Sequence, residues 1–236
     1  MTVESRTLVL LRHGESEWNT GDRFAGWVDV GLTEQGRAEA RRSGELLTAA
    51  DLRPDVVHTS VLRRAITTAN IVLEASGRDW VDVHRTWRLN ERHYGALQGL
   101  SREQVRRDYG DDQFARWRRS YRCSPPPAEP GSEFGRAGDD RYRTLGVEVP
   151  AAESIHDVLM RVLPYWWAHV APDLLAGRVV VLVAHGNSLR ALIRHLDHLT
   201  GDDMSGLHIR TGVPIRYDLT PDLRPRVPGG RPVQPG

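Results

Sequence analysis

The chain contains no lysine; all 32 of its basic residues are arginine. A GC-rich coding sequence produces this bias, so an arginine where other proteins carry lysine means little by itself. Cys123 is the only cysteine. An intrachain disulfide is therefore excluded, which fits a reducing, cytoplasmic setting. Neither sign of charge dominates: 32 basic residues face 31 acidic ones, a formal net charge of +1. Bulk charge thus points neither to nucleic acid nor to an anionic membrane. Long apolar runs are missing too. The first, Thr7 to Leu11, meets Arg12 and His13 at once and is too short for a signal peptide or a membrane span. There is no internal repeat. No His-Glu-x-x-His segment or cluster of acidic ligands occurs, so no metal site is expected. A chain of 236 residues can still bury a full single-domain core without disulfides or metal.

What is present is alternation of strands and helices. The run Thr7–Leu11 and a second, Val179 to Ala184, each end in a His-Gly pair, at His13-Gly14 and His185-Gly186. Runs of this length before a glycine read as buried strands ending in tight turns. Between them, Leu32-Thr33-Glu34-Gln35 is expected to open a helix through about Leu47, and Val56-Val57-His58 to form a short strand. Helical spacing follows in Leu62, Ala65, Ile66, Ala69, Val72 and Leu73, and again in Ile155, Val158, Leu159, Val162, Leu163 and Trp166. Ser154 and Asp157 are a capping pair for that last helix, and Pro164 is expected to kink it. Leu189, Leu192, Ile193 and Leu196 mark one more. This pattern predicts a three-layer α/β/α domain over residues 1–220 with a mostly parallel central sheet. Residues 124–150, rich in proline, glycine and charge, read as a surface excursion or lid, and 221–236 as a Pro/Gly/Arg-rich mobile tail.

Strand ends of an open α/β sheet are where ligands bind. Here they supply Arg12 and His13, then Thr59 and Ser60 with Arg64 one helical turn on, then His185. Leu89-Asn90-Glu91-Arg92-His93-Tyr94-Gly95 and Trp117-Arg118-Arg119 add more charge. Arginine forks match phosphate oxygens, and helix-start N–H groups assist them. Several arginines, two histidines and one glutamate suit phosphoryl transfer, with a histidine as nucleophile and the glutamate handling the alcohol proton.

The stretch Leu10-Leu11-Arg12-His13-Gly14-Glu15-Ser16-Glu17-Trp18-Asn19 resembles the signature of the cofactor-dependent phosphoglycerate mutases, in the histidine phosphatase superfamily. The resemblance continues through Gly26-Trp27-Val28-Asp29-Val30, Thr59 to Ala65, Leu89 to Gly99, Trp117-Arg118-Arg119 and Ala184 to Arg190, and ends near Thr211-Gly212-Val213-Pro214. It implies that His13 is the phosphorylated nucleophile and Glu91 the proton donor and acceptor, with Arg12, Arg64 and His185 on the transferring group. Asn19 and the Asn187 backbone would help bind its oxygens, Tyr94, Arg118 and Arg119 would hold the carboxylate and second phosphate of the glycerate, and Gly26, Arg102 and Gly186 would also bind substrate. The implied reaction interconverts 3-phosphoglycerate and 2-phosphoglycerate, primed by 2,3-bisphosphoglycerate, without metal, in a homo-dimer or homo-tetramer. The other reading of the same nucleophile is a phosphatase acting on bisphosphoglycerate or another small phosphorylated metabolite. Three departures bear on this choice. Ala25 stands where the family usually carries a hydroxyl, Arg102 where it carries lysine, and the family's site-covering C-terminal tail has no clear counterpart after Pro221.

Overall fold

The computed structural model describes residues 6–134, 139–202, 204 and 206–235. Its centre is strand β1 (Arg6–Arg12), which lies parallel to β4 (Val180–Ala184), with Leu10 opposite Leu182 and Arg12 opposite Ala184. Beyond β4 come β2 (Val56–Thr59) and β3 (Asp82–Arg85), both parallel to it. On the other side of β1, β5 (Ile215–Leu219) runs antiparallel and pairs in turn with β6 (Arg231–Pro232). The sheet order is β3-β2-β4-β1-β5-β6, mixed but mostly parallel.

Alternation along the strands sends side chains to two separate cores. Leu8, Leu10, Val56, Val180, Leu182 and Ala184 pack with Val158 and Val162 of α7 (Ile155–Tyr165) and Leu189 and Leu192 of α9 (Gly186–Leu196). Val9, Leu11, Val57, Val181 and Val183 pack with Leu47 of α2 (Glu34–Ala49) and with Val72 and Leu73 of α3 (Arg63–Ser76). Helices cover both faces, and this is why the central strands read as continuous apolar runs. The helix starts are chemically marked. Thr33 accepts the Gly36 N–H, and Ser154 and Asp157 form the expected capping box. Pro164 does not end its helix. The chain passes through a π-helical turn, Trp166–Val170, and continues as α8 (Ala171–Leu175).

Two segments beyond the central layers make specific contacts. The excursion at 124–150, of which 135–138 lie outside the described residues, is anchored at its helical turn. Tyr142, in the short helix α6 (Asp140–Arg143), is buried against the Trp27 ring at 4.8 Å and its hydroxyl accepts from Asn90. Arg141 pairs with Asp29 at 2.8 Å. The segment after Pro221 is not featureless either. Leu223 and Val233 are buried, β6 extends the sheet, and the Val233 N–H donates to the Pro214 carbonyl. Two isolated apolar residues suffice here because the exposed edge of β5 offers backbone partners. Among the described residues no helix is long and apolar enough to cross a membrane.

Candidate active site

Three parallel strands end at one edge, and each end carries a polar residue into the same place. The His13 N–H donates to the Ala184 carbonyl, tying the end of β1 to that of β4. The His13 and His185 rings then lie 4.9 Å apart. Gly14 must be glycine, because a Cβ there would come 2.1 Å from the Gly36 carbonyl oxygen of α2. His13 Nδ1 lies 2.7 Å from the Gly14 carbonyl oxygen, which only a protonated Nδ1 satisfies. The Nε2 lone pair is therefore free. Burial pushes the His13 pKa well below the usual value, with Arg64 and Arg12 adding to the effect. At neutral pH the imidazole is uncharged and nucleophilic.

His185 caps α9 and is wholly buried behind His13. Its Nε2 lies 2.8 Å from Ser60 Oγ, which already accepts the Leu62 N–H. When the serine hydroxyl donates to Nε2 the ring proton sits on Nδ1, a buried atom without a protein hydrogen-bond partner. Burial, then Arg64, hold this histidine neutral as well.

The cations are fixed by backbone carbonyls rather than by carboxylates. Arg64 donates to Val28 O and Gly26 O, both at 2.8 Å, and burial brings its pKa down to about 10. Arg12 donates to Ile209 O at 3.0 Å; its Nε has no acceptor. Carbonyl partners leave the guanidinium charge un-neutralised and available to an anion.

Glu91 faces this cluster. Its Oε1 accepts the N–H groups of Arg92 (2.7 Å) and Asn187 (3.1 Å), so the start of α9 orients the carboxylate. Its carbonyl oxygen receives Trp27 Nε1–H at 2.6 Å and Arg161 at 2.9 Å. Arg161 is held in turn by Glu153, which also accepts the His93 N–H. This buried pair fixes the whole 90–93 segment.

The cleft above has a volume of about 450 Å³. Of the residues assigned to the site from the sequence, all line it except His185, which stands behind the wall, as do Thr59 and Ser60 at the end of β2. Asn19 sits at the rim with its amide oxygen accepting from Ser16. Tyr94 accepts from Asn187 Nδ2 at 2.8 Å. Arg102 pairs with Asp22 at 2.6 Å, and Arg118 and Arg119 end α5 (Asp111–Arg119) on the far side. Sequence reasoning missed three further arginines in the lining, Arg23, Arg92 and Arg190. Arg92 and Arg190 lie inside the quoted motifs, and that was the available signal. Met204 and His208, also in the lining, come from a loop with no pattern to find. A neutral histidine with a free nitrogen, flanked by uncompensated guanidiniums and one oriented carboxylate, is equipped for nucleophilic attack on phosphorus.

Residues 8–140 match the profile of the histidine phosphatase superfamily (branch 1). The chain is 57% identical over 233 residues to a 2,3-bisphosphoglycerate-dependent phosphoglycerate mutase of Rhodococcus opacus, covering 99% of this chain and 92% of that one. It is 56% identical over 229 residues to the mutase of the same description from Mycobacterium leprae, with 97% and 92% covered. Among solved structures, a mycobacterial glucosyl-3-phosphoglycerate phosphatase in complex with VO3 superposes with a TM-score of 0.70 at 31% identity, covering 90% of this chain and 92% of that one. The chain belongs to the histidine phosphatase superfamily and, within it, to the 2,3-bisphosphoglycerate-dependent phosphoglycerate mutase family.

Proposed function

We propose that this protein interconverts 3-phosphoglycerate and 2-phosphoglycerate through a phosphohistidine on His13, primed by 2,3-bisphosphoglycerate. The carrying observation is the buried, neutral His13 with Nε2 unengaged beside Arg12 and Arg64. Relatives above half identity over nearly the whole chain favour the mutase over the phosphatase reading.

The fit to a bisphosphorylated primer rests on donors that lack acceptors. Arg12 Nε, Arg92 Nε and Nη1 and His185 Nδ1 are all buried without partners. Unsatisfied buried donors are costly, and a polyanion would satisfy them. When bound, 2,3-bisphosphoglycerate supplies the first phosphoryl group. His13 Nε2 forms the N–P bond as the P–O bond breaks. Arg12, Arg64 and the Nδ1–H of His185 hold the three phosphoryl oxygens as charge spreads over them. Glu91 gives its proton to the departing alkoxide and takes one from the incoming hydroxyl when the phosphoryl group returns at the other carbon. Asn19, Gly26, Gly186 and Asn187 complete the phosphoryl pocket. Tyr94, Arg102, Arg118 and Arg119 bind the carboxylate and the second phosphate. The chain's own cations supply the charge, so turnover is expected to survive chelation. We place the enzyme in the cytoplasm as a homo-dimer or homo-tetramer, which sedimentation tests.

The deciding experiment measures isomerisation of 3-phosphoglycerate and release of inorganic phosphate side by side, with and without 2,3-bisphosphoglycerate, before and after treatment with chelator. Primer-dependent, chelator-resistant isomerisation is expected. Phosphate release without isomerisation would replace this reading with the phosphatase.

A further inference from the structure

Arg190 is a cation without a carboxylate. It lies on α9 one turn after Gly186 and lines the cleft, and among the described residues it has no acidic partner within ion-pair distance. Its guanidinium does two things. Nε donates to the Leu207 carbonyl at 2.8 Å, and Nη1 donates to Asn187 Oδ1 at 3.2 Å. It also reaches the floor of the site. A Cβ placed on Gly186 would meet Arg190 Nη1 at 3.3 Å, Glu91 Oε2 at 3.5 Å and Arg12 Cζ at 3.8 Å.

The contact with Asn187 has a consequence for the direction of a proton. A guanidinium only donates, so the amide atom beside it must be oxygen. Asn187 therefore turns its Nδ2–H2 toward Tyr94, whose hydroxyl oxygen accepts at 2.8 Å. With that oxygen receiving, the Tyr94 O–H hydrogen is free to donate into the cleft. Without Arg190 the amide can rotate by half a turn at little cost. Oδ1 would then face Tyr94, and the tyrosine would give its hydrogen to Asn187 instead.

We propose that Arg190 is a positioning residue that fixes the polarity of the Asn187–Tyr94 chain, so that Tyr94 presents a hydrogen-bond donor to the anionic substrate. This rests on the reading of the cleft as a phosphoglycerate site and names one determinant of binding within it.

The test is calorimetric binding of 3-phosphoglycerate to the full-length protein, together with KM and kcat for its isomerisation. Arg190→Met should weaken binding and raise KM by about tenfold, the value of one hydrogen bond to a charged group. Arg190→Lys, which can also only donate, should recover most of that loss. In a Tyr94→Phe background the Arg190→Met change should cost less than about threefold, because the hydroxyl through which it acts is gone. Full additivity of the two substitutions overturns the proposal, as does a lysine variant no better than methionine. Should Arg190→Met fail to fold, Arg190→Gln takes its place in both backgrounds, because a neutral amide that can donate or accept no longer dictates which Asn187 atom faces it, and the same additivity decides the case. If the protein binds 3-phosphoglycerate and obeys the cycle but does not isomerise it, the proposed function falls and this inference stands. If the protein does not bind 3-phosphoglycerate, both fall.

Discussion

Two sets of buried histidines in this molecule have opposite surroundings. His58, on β2, uses both ring nitrogens: Nδ1 meets the Tyr165 hydroxyl at 2.8 Å and Nε2 meets Asp173 at 2.9 Å. It stacks on His84, and Asp173 is closed off by Arg178 at 2.8 Å. His13 and His185, at the neighbouring strand ends, each keep one nitrogen without a protein partner, and their charged neighbours are arginines. All three imidazoles are pushed toward the neutral form, chiefly by burial. The shift alone does not separate structure from chemistry. The unsatisfied nitrogen facing fixed cations does, because it is a group whose partner has still to arrive.

Exchanging each kind of histidine should break the comparison in opposite ways. His185→Asn is expected to lower kcat about 10²–10³-fold, the scale for losing one donor to a charge that develops in the transition state. Its melting temperature should fall less than that of His58→Asn, since His185 makes one buried side-chain hydrogen bond, to Ser60, where His58 makes two. His58→Asn should do the reverse. It leaves the buried Tyr165 hydroxyl and Asp173 carboxylate badly paired and should cost about 2–3 kcal/mol of stability. Its kcat at 25 °C should lie within about twofold of wild type. Steady-state kinetics and thermal denaturation on both variants check this; a His58→Asn protein with collapsed kcat and normal stability would reverse the assignment.

Acid should reveal what the three share. Each is neutral in the folded state, while an unfolded chain takes up the proton near pH 6.5. Below that pH the unfolded state binds more protons, so stability present at neutral pH is lost as pH falls. For His58, whose pKa is brought to about 4, the loss runs from about pH 6.5 down to 4, at about 1.4 kcal/mol per pH unit. Urea unfolding across this range should show a falling midpoint, with a shallower slope in His58→Asn. An unchanged midpoint would mean that these histidines are protonated in the native protein.

The smallest expected effect concerns the rim. Ala25 lines the cleft without a hydroxyl, and no described residue of 124–150 or of the C-terminal segment lines it. Water should therefore reach the phosphoenzyme more easily than in a variant with a hydroxyl at position 25. Ala25→Ser should shift the ratio of isomerisation to phosphate release by up to about tenfold toward isomerisation. Efficient isomerisation by the native protein with negligible phosphate release would show that the site closes by other means.

Much of this was legible in the sequence, and the reasons are local. The runs ending in His13-Gly14 and His185-Gly186 carry strand, turn and polar residue in consecutive positions, so both the sheet and the edge that borders the cleft could be read. The capping box at Ser154 and Asp157 is equally local. What escaped depends on contacts far apart in the chain. Arg161, which holds the Glu91 carbonyl from 70 residues away, reads in sequence as one more polar residue of a helix. Val233 and Leu223 look like strays in a Pro/Gly/Arg segment until the edge of β5 is there to receive them. Met204 and His208 reach the cleft only because the loop's backbone is tied to Arg119 and Arg190.

The central claim is that chemistry passes through His13, the histidine that lines the cleft and whose Nε2 keeps its lone pair. Incubation with 2,3-bisphosphoglycerate labelled in its phosphates, followed by quenching in base and peptide mapping, tests it directly. The account predicts an acid-labile, base-stable phosphate on His13 that is absent from His13→Ala. Label that survives in His13→Ala, or that maps to His185 or His58, would contradict it.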